Sequence, residues 1–165
     1  MLAGVEIREA TAADWPAIWP ILRAVAAAGE TYTWPTDITE AAGRAAWMKE
    51  PPGRTFVATD GGVLVGTAYV KPNQDGNGSH VANAGFLVDP ARSGRGVARA
   101  LCDRVLAEAA RDGYRAMQFN AVVETNTRAV ALWRAYGFEV LATIPEAFRH
   151  PVHGYVGLLV MYRVL

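Results

Sequence analysis

Between Val81 and Ala109 the hydrophobic period of the chain changes once, and the change falls on a short loop containing two glycines. Ala82 to Val88 is an apolar, strand-like run that Asp89-Pro90 closes. From Val97 the pattern turns helical: Val97, Leu101, Val105 and Ala109 recur four apart on one helix face. The joint reads Pro90-Ala91-Arg92-Ser93-Gly94-Arg95-Gly96-Val97-Ala98. Gly94 and Gly96 let the backbone turn tightly and come close to a ligand with no Cβ in the way. Amides at a helix start lack helical partners, and the helix dipole there favours an anion. Arg92, Arg95 and Arg99 add local positive charge. Strand, loop and helix together read as a diphosphate cradle. An ordinary glycine-bearing strand-to-helix turn fits the same residues until the rest of the chain is weighed.

Other phosphate folds fail on spacing. Gly61 to Gly66 has P-loop spacing but is followed by Thr67, not Lys. Gly94-Arg95-Gly96 has no third glycine and follows the fourth strand, not the first, so it is no dinucleotide fingerprint. ATP and NAD are therefore not expected. The chain has 165 residues, consistent with one domain over 1–165. Its 16 Lys+Arg balance 16 Asp+Glu, which argues against a general nucleic-acid or membrane-surface binder. The one cysteine, Cys102, excludes an internal disulfide and a Cys-rich zinc site. His150-Pro151-Val152-His153 is too slight for a metal, so no metal is expected. Met1 to Glu6 lacks the basic and apolar regions of a leader, and no apolar run nears the ~20 residues of a membrane span. A cytoplasmic protein is the expectation.

Period and punctuation predict the remaining elements. Val5 to Arg8 alternates as a strand, and a helix from Thr11 or Asp14 runs to Ala28, with Pro20 expected to kink it. A polar and aromatic loop, Gly29 to Pro35, precedes a helix from Thr39 to Trp47. Thr55 to Thr59 and Val63 to Val70 flank Asp60-Gly61-Gly62 as a hairpin. Met117 to Val123 is a strand, and Thr127 to Tyr136 is a helix with Asn126 as N-cap and Gly137 at its stop. Strand-like runs near Glu139 to Thr143 and Tyr155 to Val164 follow. This order is α+β with a mixed sheet.

With those elements in place, the chain resembles the GCN5-related N-acetyltransferase (GNAT) superfamily. Its acetyl-CoA signature, Q/R-x-x-G-x-G/A, matches Ser93 to Ala98 in the last four places, with Ser93 where Gln or Arg is usual. Its second signature, N-x-x-A-x-x-L-Y-x-x-x-G-F, matches Asn126, Ala129, Leu132, Gly137 and Phe138, with Trp133 at the tyrosine position. The resemblance implies a GNAT fold: a mixed central sheet of about seven strands, helices on both faces, and splayed fourth and fifth strands. It implies acetyl-CoA as cosubstrate, with its arm on Phe86, Leu87 and Val88. Its diphosphate would lie on Ser93, Gly94, Arg95, Gly96, Val97 and Ala98, and its thiol end near Asn126 and Ala129. From Lys71 to Phe138 the chain further resembles the yeast azetidine-2-carboxylate N-acetyltransferases, which implies catalytic roles for Asn83 and Asn126.

The expected reaction is N-acetylation of a small-molecule amine or amino acid. It requires a neutral amine, although free amines titrate near ~10, and a route for the leaving thiolate's proton. The fourth strand carries no carboxylate. Asn83 can orient an amine but is no useful base, and a water chain ending on Glu124 or His80 is an alternative. The Trp133 indole gives up no proton, which leaves Asn126 as a thiolate donor and Tyr136 as a weak substitute. Tyr32, Trp34 and Glu30 are candidates for the acceptor pocket, although the two aromatics could equally pack the first helices. A peptide acetyltransferase and a non-catalytic acyl-CoA-binding module are the competing readings. Gly157 to Met161 could serve a homodimer or fill the core.

Overall fold

The computed structural model describes residues 4–165; the leader reading rests partly on Met1 to Ala3, which lie outside them. The described residues form seven strands and four α-helices. In chain order these are β1 (Val5–Glu9), α1 (Trp15–Ala28), α2 (Glu40–Trp47), β2 (Arg54–Asp60), β3 (Val63–Pro72), β4 (Val81–Val88), α3 (Val97–Arg111), β5 (Ala116–Val123), α4 (Thr127–Ala135), β6 (Glu139–His150) and β7 (Gly154–Val164). The sheet order is β1-β2-β3-β4-β5-β7-β6, and every neighbouring pair is antiparallel except β4 and β5. A mixed seven-stranded sheet with one parallel pair is the GNAT fold that the signatures imply.

Strand alternation divides the core between the two faces of the sheet. Phe56 and Ala58 of β2, Ala68 and Val70 of β3, and Ala82 and Ala84 of β4 pack with Val97, Leu101 and Val105 of α3. Val57 and Leu87 face the other way, against Trp15, Ile18, Leu22 and Trp47 of α1 and α2. The Trp47 indole donates to Thr67 Oγ1 (3.0 Å), and that hydroxyl donates to the Phe56 carbonyl (2.7 Å), so the buried polar atoms that seat α2 are satisfied. Of the two roles open to the final strand, Leu159 and Met161 take the core one.

One expectation needs correction. α1 runs to Ala28 as expected, with Pro20 inside it. The missing N–H forfeits a single bond, to the Pro16 carbonyl at the helix start. β6, however, is much longer than Glu139 to Thr143. It continues to His150 through register shifts at Val140/Ala142 and Ile144/Phe148, the second containing Pro145 and Glu146 with φ 54. It is one of the two edge strands of the sheet, and its exposed faces leave no period to read.

Candidate active site

β4 and β5 pair only at Val81–Ala116 and Ala82–Met117 and then separate. Asn73 N–H donates to Val81 O (2.8 Å) and Asp89 N–H to Val65 O (2.9 Å), so the odd-numbered residues of β4 bond β3. The even-numbered ones, Ala84, Phe86 and Val88, turn their N–H and C=O toward the gap. Asn83 sits at the fork. Its Nδ2 donates to the main-chain carbonyl of Gln118 on β5 (3.0 Å), the acceptor that the next rung of the ladder would use. Its Oδ1 accepts from the Tyr69 hydroxyl (3.2 Å). The result is a cleft of about 410 Å³ whose walls include Tyr32, Trp34, Tyr69, Asn83, Phe86 and Asn126.

At one end of the cleft the chain passes from β4 into the glycine loop. Gly94 and Gly96 have φ of 82° and 81°, and Gly96 caps α3. Those left-handed conformations are where residues with a Cβ are strained. Amides at the start of α3 lack helical partners and the helix dipole there favours an anion, which suits the diphosphate reading of this loop. Arg92 lies 3.6 Å from Asp89, while Arg95 and Arg99 are exposed. A Cβ on Gly94 would come 3.9 Å from Arg128 Nη2, so Arg128 shares this surface. Asn126 caps α4 by accepting from Ala129 N–H (3.3 Å), and both residues line the cleft. Trp133, at the family's tyrosine position, is buried against Phe86 (4.9 Å between ring centroids) and Phe119 (4.8 Å), as a wall of the cleft.

The opposite mouth is aromatic. Tyr32 stacks on Trp34 (4.1 Å), and both meet Trp47 edge-on. Tyr69 crosses β4 at Gly85, its partner across the strands. A Cβ on Gly85 would fall 2.5 Å from the Tyr69 ring, so only glycine leaves that ring its place. Asn120 Nδ2 donates to Asn73 Oδ1 (2.7 Å) and Asn120 Oδ1 accepts from Gln118 Nε2 (2.9 Å), a polar bridge beside the fork. The cleft lining contains no Asp, Glu, Lys or Arg.

The chain's two lysines flank this end. Lys49 Nζ lies 4.3 Å from the Tyr69 ring centre and donates to the Ala46 carbonyl. Burial, then the like charge of Lys71, push its pKa down to about 8 from the ordinary 10.5. Between those values the unfolded chain binds more protons at this side chain than the folded one, so stability rises with pH across that window. At pH 7 the partly buried ammonium is a net cost. Lys49→Met is therefore expected to melt above wild type at pH 7, with the gap closing as pH rises from about 8 toward 10.5. Melting curves at matched ionic strength check this.

The fold brings Asn83, Phe86, Leu87, Val88, Asn126, Ala129, Tyr32 and Trp34 to one cleft. Glu30 is exposed and outside the lining. Tyr136 faces α3, its hydroxyl donating to Asp103 Oδ1 (2.8 Å), which removes it as a proton donor to the cleft. Glu124 is occupied as well, accepting from Gly157 N–H (2.6 Å), and His80 is exposed outside the lining. His150 Nδ1 accepts from Val152 N–H (3.1 Å) and His153 N–H (3.2 Å). Sequence reading missed Tyr69 as a site residue, because its contact with Asn83 depends on the β3–β4 register.

A parallel pair that splays beside a glycine loop at a helix start is the architecture of the N-acetyltransferases. The acetyltransferase (GNAT) family model matches residues 7–138. The chain belongs to this family. It is similar to the N-acetyltransferase aca1 of Schizosaccharomyces pombe, 39% identical over 94 residues, a match spanning 56% of this chain and 45% of that relative. The structure of a GCN5-related N-acetyltransferase from Kribbella flavida is 51% identical and superposes with a TM-score of 0.96 over 100% of both chains. The yncA protein of Salmonella typhimurium, solved with its cofactor acetyl-CoA, is 25% identical with a TM-score of 0.84, over 98% of this chain and 94% of that one.

Proposed function

We propose that the chain acetylates the amine of a small amino acid or related amine, with acetyl-CoA as donor and azetidine-2-carboxylate as one acceptor to try. The observation that carries this reading is the fork at Asn83. It opens β4 from Ala84 to Val88 as an unpaired edge, leading from the glycine loop to a small aromatic pocket. Family membership and the acetyl-CoA in the yncA structure support the donor.

Acetyl-CoA supplies an activated acetyl group; a C–N bond to the acceptor replaces its C–S bond. The residues present suit the task without a carboxylate. Gln118 O and Tyr69 Oη hold the Asn83 amide in one orientation. A second lone pair on Asn83 Oδ1 can accept an N–H of the acceptor and aim its nitrogen into the cleft. The amine's surplus proton leaves to water, since the lining has no carboxylate to take it. Asn126 uses Oδ1 on Ala129 N–H, which leaves its NH2 as a donor for a thiolate.

Thiol release from acetyl-CoA, measured with a panel of free amino acids including azetidine-2-carboxylate and a parallel panel of peptides, tests this. Turnover with free amino acids supports it. Turnover with peptides alone replaces the acceptor class, and binding without turnover across both panels replaces the enzyme reading with a binding module.

A further inference from the structure

Every ion pair among the described residues is made by an arginine. Lys49 and Lys71, the chain's two lysines, have no carboxylate partner among them, yet they stand together. A Cβ on Gly53 would fall 2.9 Å from Lys49 Cβ and 3.3 Å from Lys71 Cβ, so the two stems meet at that glycine. Lys71 is the cross-strand partner of Asn83, and Tyr69 that of Gly85, which sets Lys71, Tyr69 and Asn83 on one face of the sheet. Tyr69 joins the lysines to the cleft. Lys49 Nζ lies 4.3 Å from its ring centre, and its hydroxyl donates to Asn83 Oδ1 (3.2 Å). The Lys49 ammonium also donates to the carbonyl of Ala46, a residue of the cleft wall. The glycine loop follows the other end of β4, beyond Val88, so the two charges lie at the acceptor end of the cleft.

We infer that Lys49, with Lys71 beside it, forms the subsite for the carboxylate of an amino-acid acceptor whose amine lies on Asn83; this rests on the amino-acid reading above. An α-amino acid carries its amine and its carboxylate on the same carbon. With a hydrogen bond at each end, such a molecule bridges the Lys49 ammonium and the Asn83 amide, which the Tyr69 phenol separates. Ala46 O takes one of the three ammonium protons, leaving donors for a carboxylate oxygen. Charge favours an anion here. Burial and the like charge of Lys71 act against the Lys49 ammonium in the free protein, and an anion beside both lysines offsets that repulsion and adds a charge-assisted bond. The cleft lining holds no Asp, Glu, Lys or Arg, so recognition of a carboxylate falls to these two neighbouring side chains.

Thiol release from acetyl-CoA is measured on the full chain with two acceptor series: alanine, alaninamide and ethylamine, and azetidine-2-carboxylate, its carboxamide and azetidine. Wild type should show its lowest KM for the carboxylate in each series. Lys49→Met should raise that KM about tenfold to a hundredfold with kcat little changed, and leave the KM of the carboxamide and the plain amine near wild type. Comparing the carboxylate-to-carboxamide ratio between proteins cancels differences in amine basicity. Lys71→Met should erode the same preference less, and Lys49→Glu should invert it. If Lys49→Met folds poorly, Lys71→Met carries the comparison. Binding is read separately by NMR. With two lysines in the chain, 13C-lysine labelling leaves two side-chain signals, and N-acetylalanine should shift both while N-acetylalaninamide shifts neither. An unchanged ratio in Lys49→Met, or an equal loss for all acceptors, overturns the inference. So does N-acetylalanine that moves neither lysine signal. If wild type turns over no free amino acid, the proposed function fails as well; if it turns them over and the variants keep its ratio, only this inference fails.

Discussion

Gly96→Val is expected to weaken acetyl-CoA binding by about tenfold to a hundredfold while leaving a folded protein. Gly96 has φ 81° at the start of α3. A β-branched residue held there is strained by roughly 1–3 kcal/mol, and it relieves the strain by rotating the peptide. Rotation turns an N–H away from the cradle, and each charge-assisted bond to a phosphate contributes about 1.5–3 kcal/mol. The bound form either carries the strain or gives up the bond, so affinity falls by about 1–3 kcal/mol, on the order of tenfold to a hundredfold. Gly61→Val is the control. Gly61 also has positive φ, 56°, but lies in the β2–β3 turn with open space around it. It should lower the melting temperature and leave binding intact. Calorimetric titration of both variants is decisive: wild-type affinity in Gly96→Val would remove the loop from cofactor binding.

Asn83→Ala is expected to lower kcat/KM at least about tenfold and to cost roughly 1–3 kcal/mol of stability. The second effect follows from the partners that the amide leaves behind. Gln118 O and Tyr69 Oη would both face the fork with nothing to bond. Asn83→Asp should be worse despite its closer shape. A carboxylate has no donor for the Gln118 carbonyl 3.0 Å away and sets two acceptors against each other. Tyr69→Phe isolates the orienting role, since it frees Oδ1 on one side but keeps the fork bonded to β5. Chemical denaturation separates the stability loss from the kinetic one. A wild-type rate in Asn83→Ala at a concentration where the variant is folded would exclude Asn83 from the chemistry.

The parts of the site that were legible in the sequence are those that depend on local backbone chemistry. Gly94 and Gly96 punctuate a strand and a helix, and their positive φ is what glycine is needed for. Asn126 reads as an N-cap and is one. Asn83 was legible only through its place in a motif, since an asparagine on a strand has no pattern of its own. Tyr136 shows the limit. Three residues beyond Trp133, it looks like a substitute tyrosine, but the helix ends at Ala135 and the ring turns to Asp103 on α3. Glu124 fails similarly, because its bond to Gly157 depends on how β7 comes alongside the end of β5.

By itself the sequence determined the order of elements, the two-sided strands and the glycine turn at the start of α3, because hydrophobic period and positive-φ demands act over a few neighbours. Only the tertiary structure decided which atoms meet. The β3–β4 register sets Tyr69 against Gly85 and beside Asn83, the fork leaves Phe86 unpaired, and a loop 54 residues earlier in the chain brings the Tyr32 hydroxyl to that edge. Those contacts join residues far apart in the chain, and strand pairing, which sets them, is fixed by the whole core rather than by any one segment.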